Sequence, residues 1–352
     1  MRFGVMFFAA SPGGGAEETY RTMLEVARLA DAGGLSAVWT PERHFDEFGG
    51  VFPNPALTSA ALATVTQRLQ LRAGSLISPL HHTVRVAEEW SVVDNLSSGR
   101  AAVSFGAGWN TNDFVLCPDR YADRRATMLE QVDTVRRLWR GESVELVNGT
   151  GHPTEVRLYP KPVQRELPVW LTSSGNPQTF IDAGAAGANL LTHLIGQDLD
   201  QLRDKIALYR KARADHGHQP QGGLVSLMLH THLDADGGTA ELRSRGPFRE
   251  YLRSAVVLER KSATGGGTIS GGHQIPDEEI PGDLIDELVD VTYERYLRQG
   301  SLIGSPAECA PMVDRLARIG VDEVACLLDF GLTGSEILGG IEPLIELAAT
   351  FS

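Results

Sequence analysis

Short apolar runs with no polar alternation recur along the chain, and most lead into stretches where apolar residues return at helical spacing. Residues 3–8 read as a first buried strand. Residues 19–32 read as an amphipathic helix with Met23, Leu24, Ala27 and Ala30 inward, stopped by Gly33-Gly34. A second strand, 37–39, is ended by Pro41, which has no N–H for the ladder. Helix 55–65 follows, with Asn54 as N-cap and Pro55 in the first position. Strand 69–77 leads to helix 83–96, and strand 101–105 to helix 124–139. The segment 142–167 reads as a polar hairpin excursion. Strands 169–172, 190–193 and 224–232 alternate with helices 177–184 and 199–216, and a last strand, 324–328, precedes a helix over 335–349. Eight strands alternating with helices across short joints predict an α/β fold, a closed (β/α)8 TIM barrel. Residues 1–352 are expected to form one domain. Within it, 233–305 is a long insertion after the seventh strand, flexible around Gly265-Gly266-Gly267 and Gly271-Gly272.

Composition narrows the class of function. A hydrophobic share of 42% over 352 residues is ample for a large core, and α/β barrels often reach this length as one domain. The net charge of −13 argues against a nucleic-acid surface. Cys117, Cys309 and Cys326 are far apart and odd in number, so neither a disulfide framework nor a metal site is expected. The first eight residues are too short for a signal-peptide core and no run reaches membrane-spanning length, so a soluble, cytoplasmic protein is expected.

In a parallel barrel the chemistry sits at the C-terminal ends of the strands. The second strand delivers Glu42, Arg43, His44, Asp46 and Glu47, interleaved with Phe45, Phe48 and Phe52. The third ends in Gly74-Ser75 and, further on, His81-His82. The fourth ends in Gly106-Ala107-Gly108-Trp109-Asn110, a turn beside a large aromatic that suits a flat ring system. After the fifth, Ser173-Ser174-Gly175-Asn176-Pro177 is the best anion site. Small residues let backbone amides approach, Asn176 caps, and Pro177 opens a helix whose dipole favours a phosphate. His193 ends the sixth strand, and His230 and His232 the seventh.

These residues carry a family resemblance. Glu42-Arg43-His44-Phe45, Gly74-Ser75, Val84-Arg85-Val86-Ala87-Glu88, Gly99-Arg100 and Gly106-Ala107-Gly108-Trp109-Asn110 run in the order found in bacterial luciferase-like flavin-dependent monooxygenases. Trp39-Thr40-Pro41-Glu42-Arg43-His44-Phe45, the run from Glu89 to Ser97, and Leu171-Thr172 with Gly175-Asn176-Pro177 resemble one subgroup more closely. That subgroup accompanies non-ribosomal peptide and polyketide natural-product assembly lines. The resemblance implies reduced FMN (FMNH2) supplied by a separate flavin reductase, and O2 adding at C4a to give a hydroperoxide. The hydroperoxide would oxygenate, and most simply hydroxylate, an intermediate of secondary metabolism, free or bound to an acyl or peptidyl carrier protein.

By position, the resemblance makes Gly74-Ser75 a non-prolyl cis peptide near the ring system and Trp109 a neighbour of its pyrimidine edge. Arg125 and the Ser173-Ser174-Gly175-Asn176 turn would lie near the phosphate. Glu42, Arg43, His44 and Asn110 are the candidate catalytic residues, and His82, His193 and His230 the candidate substrate contacts. Luciferases carry two consecutive histidines after the glutamate; here the first position is Arg43, which is no proton acceptor near neutral pH, and His44 remains the acid/base candidate. Ala107 stands where luciferases have a phosphate-binding arginine, so phosphate binding is expected to lean on Arg125 or backbone amides. Three other readings stay open: a deazaflavin-dependent dehydrogenase, a non-catalytic flavin-binding barrel and, least favoured, a metal-dependent hydrolase. A homodimer through helices 55–65 and 83–96 is expected, with Ala56, Ala60, Ala61, Val86, Trp90 and Val93 in the contact. A carrier domain would dock on Arg243, Arg245, Arg249, Arg253, Arg260 and Lys261.

Overall fold

Strands Arg2–Met6 (β1), Ala37–Thr40 (β2), Gln70–Ile77 (β3) and Ala101–Gly106 (β4) lie side by side in chain order. The computed structural model describes residues 1–8, 15–264 and 282–351. Helices Ala16–Ala32 (α1), Pro55–Ala63 (α2), Thr83–Leu96 (α3) and Arg124–Trp139 (α4) follow these strands one by one. The antiparallel pair Val144–Val147 (β5) and Pro153–Val156 (β6) is the expected polar hairpin. Strands Val169–Ser173 (β7) and Asn189–His193 (β8) then alternate with helices Pro177–Ala185 (α5) and Leu199–Asp215 (α6). The long strand Val225–Leu233 (β9) and the last strand Glu323–Leu327 (β11) complete an eight-stranded parallel TIM barrel. Pairing of Leu190–His193 with Val225–Met228 and of Arg2–Met6 with Glu323–Leu327 closes it.

Local chemistry explains the joints. Asn54 accepts from the Ala56 and Leu57 N–H groups and Pro55 opens α2, while Asn176 accepts from the Gln178 N–H and Pro177 opens α5. Between β9 and β11 the chain is more regular than an insertion suggests. It forms helices Gly237–Thr264 (α7) and Gly282–Gln299 (α8), strand Ser301–Gly304 (β10) and helix Pro306–Arg318 (α9). β10 pairs with the last four residues of β9, His230–Leu233, beyond where β8 ends. A Ser305/Glu308 capping box with Pro306 in the first turn starts α9. The expected helix over 335–349 is two helices, Gly334–Gly339 (α10) and Ile341–Ala349 (α11). The joint, Gly340, packs so close to β9 that an added Cβ would lie 3.3 Å from the Leu233 carbonyl. Gly265–Gly267 and Gly271-Gly272 lie outside the described residues.

The residues named for two expected contacts are largely engaged within the protomer. Of the residues expected in the dimer contact, Ala56, Val86, Trp90 and Val93 are buried in the protomer's own core, Ala60 is half-buried and Ala61 is exposed. Four of the docking arginines are already paired. Arg245, Arg249 and Arg253 of α7 meet Glu294, Asp290 and Asp286 of α8, a ladder with a four-residue step on both helices. Arg243 pairs with Asp234, and the side chains of Arg260 and Lys261 lie outside the described residues. Among the described residues no helix is long and apolar enough to cross a membrane, and no group of His, Cys, Asp and Glu is arranged to hold a metal ion.

Candidate active site

The C-terminal ends of β2, β3, β4, β7 and β8 open into one cavity of about 790 Å³. Pro41 ends β2, and the next two amides tie the loop down. The Glu42 N–H donates to the Ser75 carbonyl at 3.0 Å and the Arg43 N–H to the Phe52 carbonyl at 2.9 Å. Ser75 itself sits where the β3–β4 register shifts between Gly74 and Leu76, and the Gly74–Ser75 peptide is cis, as the resemblance implies.

Glu42 is the centre of this end. Its Oε1 accepts from His44 Nε2 at 2.8 Å and His81 Nε2 at 2.6 Å, and its Oε2 accepts from the Ile77 N–H at 2.7 Å. Burial alone pushes this carboxyl up, but the donors from His44, His81 and the Ile77 N–H, together with the charge of His81, outweigh it and hold it below the ordinary glutamate range. His81 shows the converse: burial pushes its imidazole down, yet the bond and charge of Glu42 raise it. An ionised carboxylate only accepts, so both imidazoles present an Nε2–H to Glu42. Glu42 lines the cavity, whereas His44 and His81 support it from behind.

Arg43, Asn110 and Asp113 form the adjoining wall. Arg43 lies against the rings of Phe8, Phe48 and Trp109, with its guanidinium carbon 4.8, 5.4 and 5.9 Å from their centroids. Asn110 accepts from the Asn112 N–H at 3.2 Å and donates from Nδ2 to Asp113 Oδ1 at 2.9 Å, so it orients a carboxyl. Burial pushes that Asp113 carboxyl up to about 6, against the opposing pull of the Arg43 charge.

Between these residues and the far end runs a wall of small residues, Gly74-Ser75 and Gly106-Ala107-Gly108, whose glycines pack too closely on the protein to carry a side chain. A Cβ on Gly74 would lie 2.8 Å from Met6 Cε, one on Gly106 3.0 Å from Ser75 Oγ, and one on Gly108 2.8 Å from Ile77 Cγ2. The far end is cationic and rich in amides. Gly175, with φ of 98°, turns the chain into α5, and its N–H donates to Ser173 Oγ at 3.3 Å. Ser173 is buried behind the turn, while Ser174, Gly175 and Asn176 face the cavity. Arg125 lines this end, exposed and with no partner among the described residues, while Arg124 is tied to the Gly108 and Tyr121 carbonyls at 3.0 and 2.8 Å.

The histidines separate. His193 lines the cavity, where its Nδ1 accepts from the Ile195 N–H at 3.1 Å and burial pushes it down to about 4, so it is neutral at pH 7. The structure does not bring His230 or His82 into the cavity. His230 is sealed among Phe248, Tyr251, Tyr296 and Phe330, and burial pushes it down to about 3. His82 is exposed at the start of α3, because the loop after β3 turns its neighbour His81 inward instead. His81, Asp113 and Arg124 were not among the site residues expected from sequence. Arg124 stands beside Arg125 in the chain and was findable; the other two are selected only by tertiary packing.

A profile of the family described as luciferase-like monooxygenase matches residues 1–323. The chain belongs to the luciferase-like monooxygenase family. It is an enzyme of that flavin-dependent monooxygenase class. The oxygenase component of the flavin-dependent trigonelline monooxygenase of Acinetobacter baylyi is 24% identical over 346 residues, 96% of this chain and 91% of that relative. Among solved structures, the monooxygenase RslO1 from Streptomyces bottropensis matches with a TM-score of 0.80 at 24% identity, over 100% of both chains. The oxygenating constituent of 3,6-diketocamphane monooxygenase from Pseudomonas putida, in complex with FMN, matches at 0.76 and 18% identity, over 99% of this chain and 98% of that one. At these identities the structural matches establish the luciferase-like barrel and nothing finer.

Proposed function

We propose that the cavity binds reduced FMN delivered by a separate flavin reductase, and that the enzyme uses O2 to hydroxylate a small organic molecule. The observation that carries this reading is the division of the cavity. A wall of small residues at Gly74-Ser75 and Gly106-Ala107-Gly108 suits a planar ring, and Arg125, without a partner among the described residues and beside the α5 N-terminus, suits a phosphate. When bound, reduced flavin supplies the electrons that activate O2; the protein supplies position, dryness and protons. Phe8, Phe48 and Trp109 exclude water around Arg43, Glu42 holds the loop against the Gly74–Ser75 turn, and Asp113 is a carboxyl raised to about 6, closer to neutral pH than an ordinary aspartate. The subgroup motifs favour a substrate from secondary metabolism. A free substrate is favoured over a carrier-bound one, because an acidic carrier would have to break the Arg245, Arg249 and Arg253 pairs to dock there.

The test is anaerobic titration with reduced FMN, then exposure to O2 with candidate substrates and a mass measurement for one added oxygen. Arg125→Ala is expected to weaken FMN while leaving riboflavin, which lacks the phosphate, unchanged. Equal binding of FMN and riboflavin by the wild type would overturn the phosphate end. Hydride transfer to a deazaflavin without O2 uptake would overturn the whole reading.

A further inference from the structure

Among the cations facing the cavity, Arg43 is held unlike the others. Arg124 spends its donors on two backbone carbonyls. Arg125 is exposed at the phosphate end. Arg43 is half-buried at the opposite end, packed against three aromatic rings, and its guanidinium donates no hydrogen bond and forms no ion pair among the described residues. Burial desolvates it, and Tyr251, Asp113 and Asp46 act on it only through space. A guanidinium carries five N–H donors and cannot shed its proton. Stacking satisfies its faces and leaves the in-plane donors without acceptors. Leaving a desolvated cation unmatched is unfavourable, and a planar fork of donors is the geometry that a carboxylate meets with two parallel hydrogen bonds.

We propose that Arg43 is the anchor for a carboxylate on the organic substrate, so that the enzyme acts on small organic acids whose apolar part lies along Phe8, Phe48 and Trp109. The inference rests on the reading of the cavity as a flavin site. The same donors would also suit the acceptor edge of the flavin ring, and the experiment separates the two sources.

Matched acids and amides (benzoate and benzamide, phenylacetate and phenylacetamide, hexanoate and hexanamide) are titrated calorimetrically into wild-type protein, with and without saturating FMN. Arg43→Met and Arg43→Lys are treated alike, with thermal melts to confirm folding. In the wild type at least one acid is expected to bind roughly ten- to a hundredfold more tightly than its amide, the range for a charge-assisted hydrogen-bonded pair. Arg43→Met should abolish that ratio, and Arg43→Lys, which keeps the charge but loses the fork, should retain part of it. FMN affinity should stay within about threefold in both variants, well short of the effect of losing a charged hydrogen bond. Acids and amides bound equally by the wild type, or no acid bound at millimolar concentration, would overturn the proposal. So would Arg43→Met weakening FMN while the acid/amide ratio persisted, which would assign Arg43 to the cofactor. Failure of the wild type to bind FMN in either redox state would sink the flavin reading, while the flavin-free titrations still decide the role of Arg43.

Discussion

Removing the His44 imidazole distinguishes two roles for it. His44 bonds Glu42 at 2.8 Å but does not line the cavity, so it acts through the carboxylate that does. His44→Ala is expected to slow oxygenation by about 10², the lower end for a lost acid/base group, without loss of FMN binding. His44→Gln, which can still donate to Glu42, should recover most of the rate if positioning is the role; no recovery would make His44 a proton carrier. His81 is read by stability. Its folded pKa is raised, so its contribution is complete below the ordinary histidine value near 6.5 and is lost as pH rises through the folded value. The melting-temperature gap between wild type and His81→Gln should therefore be widest near pH 6 and narrow on the alkaline side; a gap that widened with pH would contradict the Glu42 pairing. For Asp113, with its carboxyl near 6, kcat/KM should show a limb at that pH which Asp113→Asn removes. The Glu42-Arg43-His44 cluster was legible because adjacent residues share one strand end. His81 was not: the choice between His81 and His82 is made by how the loop folds back onto Glu42, and no local pattern encodes that.

At the scale of elements, legibility followed periodicity and capping. The eight barrel strands were visible as apolar runs, and α2 and α5 were visible in Asn54-Pro55 and Asn176-Pro177. Asn176→Ala should cost about 1 kcal/mol in unfolding by denaturant, the usual value of an N-cap, and also weaken FMN if α5 faces its phosphate. The four-residue step of Arg245, Arg249 and Arg253 already placed them along one side of a helix, which is α7, whereas α8 escaped because the glycine-rich stretch before it suggested disorder. Yet Arg245-Arg249-Arg253 and Asp286-Asp290-Glu294 both step by four, and together they mark two facing helices. β10 is only four residues long, and its Ser301 start hides it from a hydropathy reading. The expected homodimer through α2 and α3 now rests on other residues. Leu57, Val92 and Leu96 are 69%, 43% and 54% exposed, apolar, and carried by the two helices first named for the contact. Leu57→Glu with Val92→Glu is expected to turn a dimer into a monomer by light scattering; a monomeric wild type at micromolar concentration would remove the idea.

At the scale of the molecule, the closed barrel was legible by counting strands, but what fills its floor was not. Arg72 on β3 and Glu323 on β11, 251 residues apart in sequence, pair inside the barrel at 2.5 Å. Both are buried, and Arg72 lies between the indoles of Trp39 and Trp170, at 4.5 and 4.3 Å from their ring centroids. Glu323 also accepts from Ser36 Oγ and Ser226 Oγ, both at 2.7 Å, and Trp170 Nε1 donates to Ser226 Oγ at 3.1 Å. Burial pushes Glu323 up, but the Arg72 charge and these donors outweigh it and hold it below the ordinary range. A buried pair of this kind adds little over an apolar substitute, yet removing Arg72 leaves the buried Glu323 charge with only the two serine hydroxyls to offset it. Arg72→Met is therefore expected to destabilise the fold by about 3–5 kcal/mol in denaturant unfolding at pH 7. Adding Glu323→Gln should recover at least about 1 kcal/mol, since residues in contact do not add independently. The pH dependence carries a sign. In the wild type Glu323 is depressed, so its contribution is present above the unfolded carboxylate value and is lost as pH falls through the folded one. In Arg72→Met the stranded carboxyl protonates more readily and its burial stops being costly in acid. The deficit of Arg72→Met should therefore shrink from pH 7 to pH 4. A deficit independent of pH, with the double variant losing the sum of both single changes, would mean that packing between the indoles, and not charge, is what Arg72 contributes to the barrel.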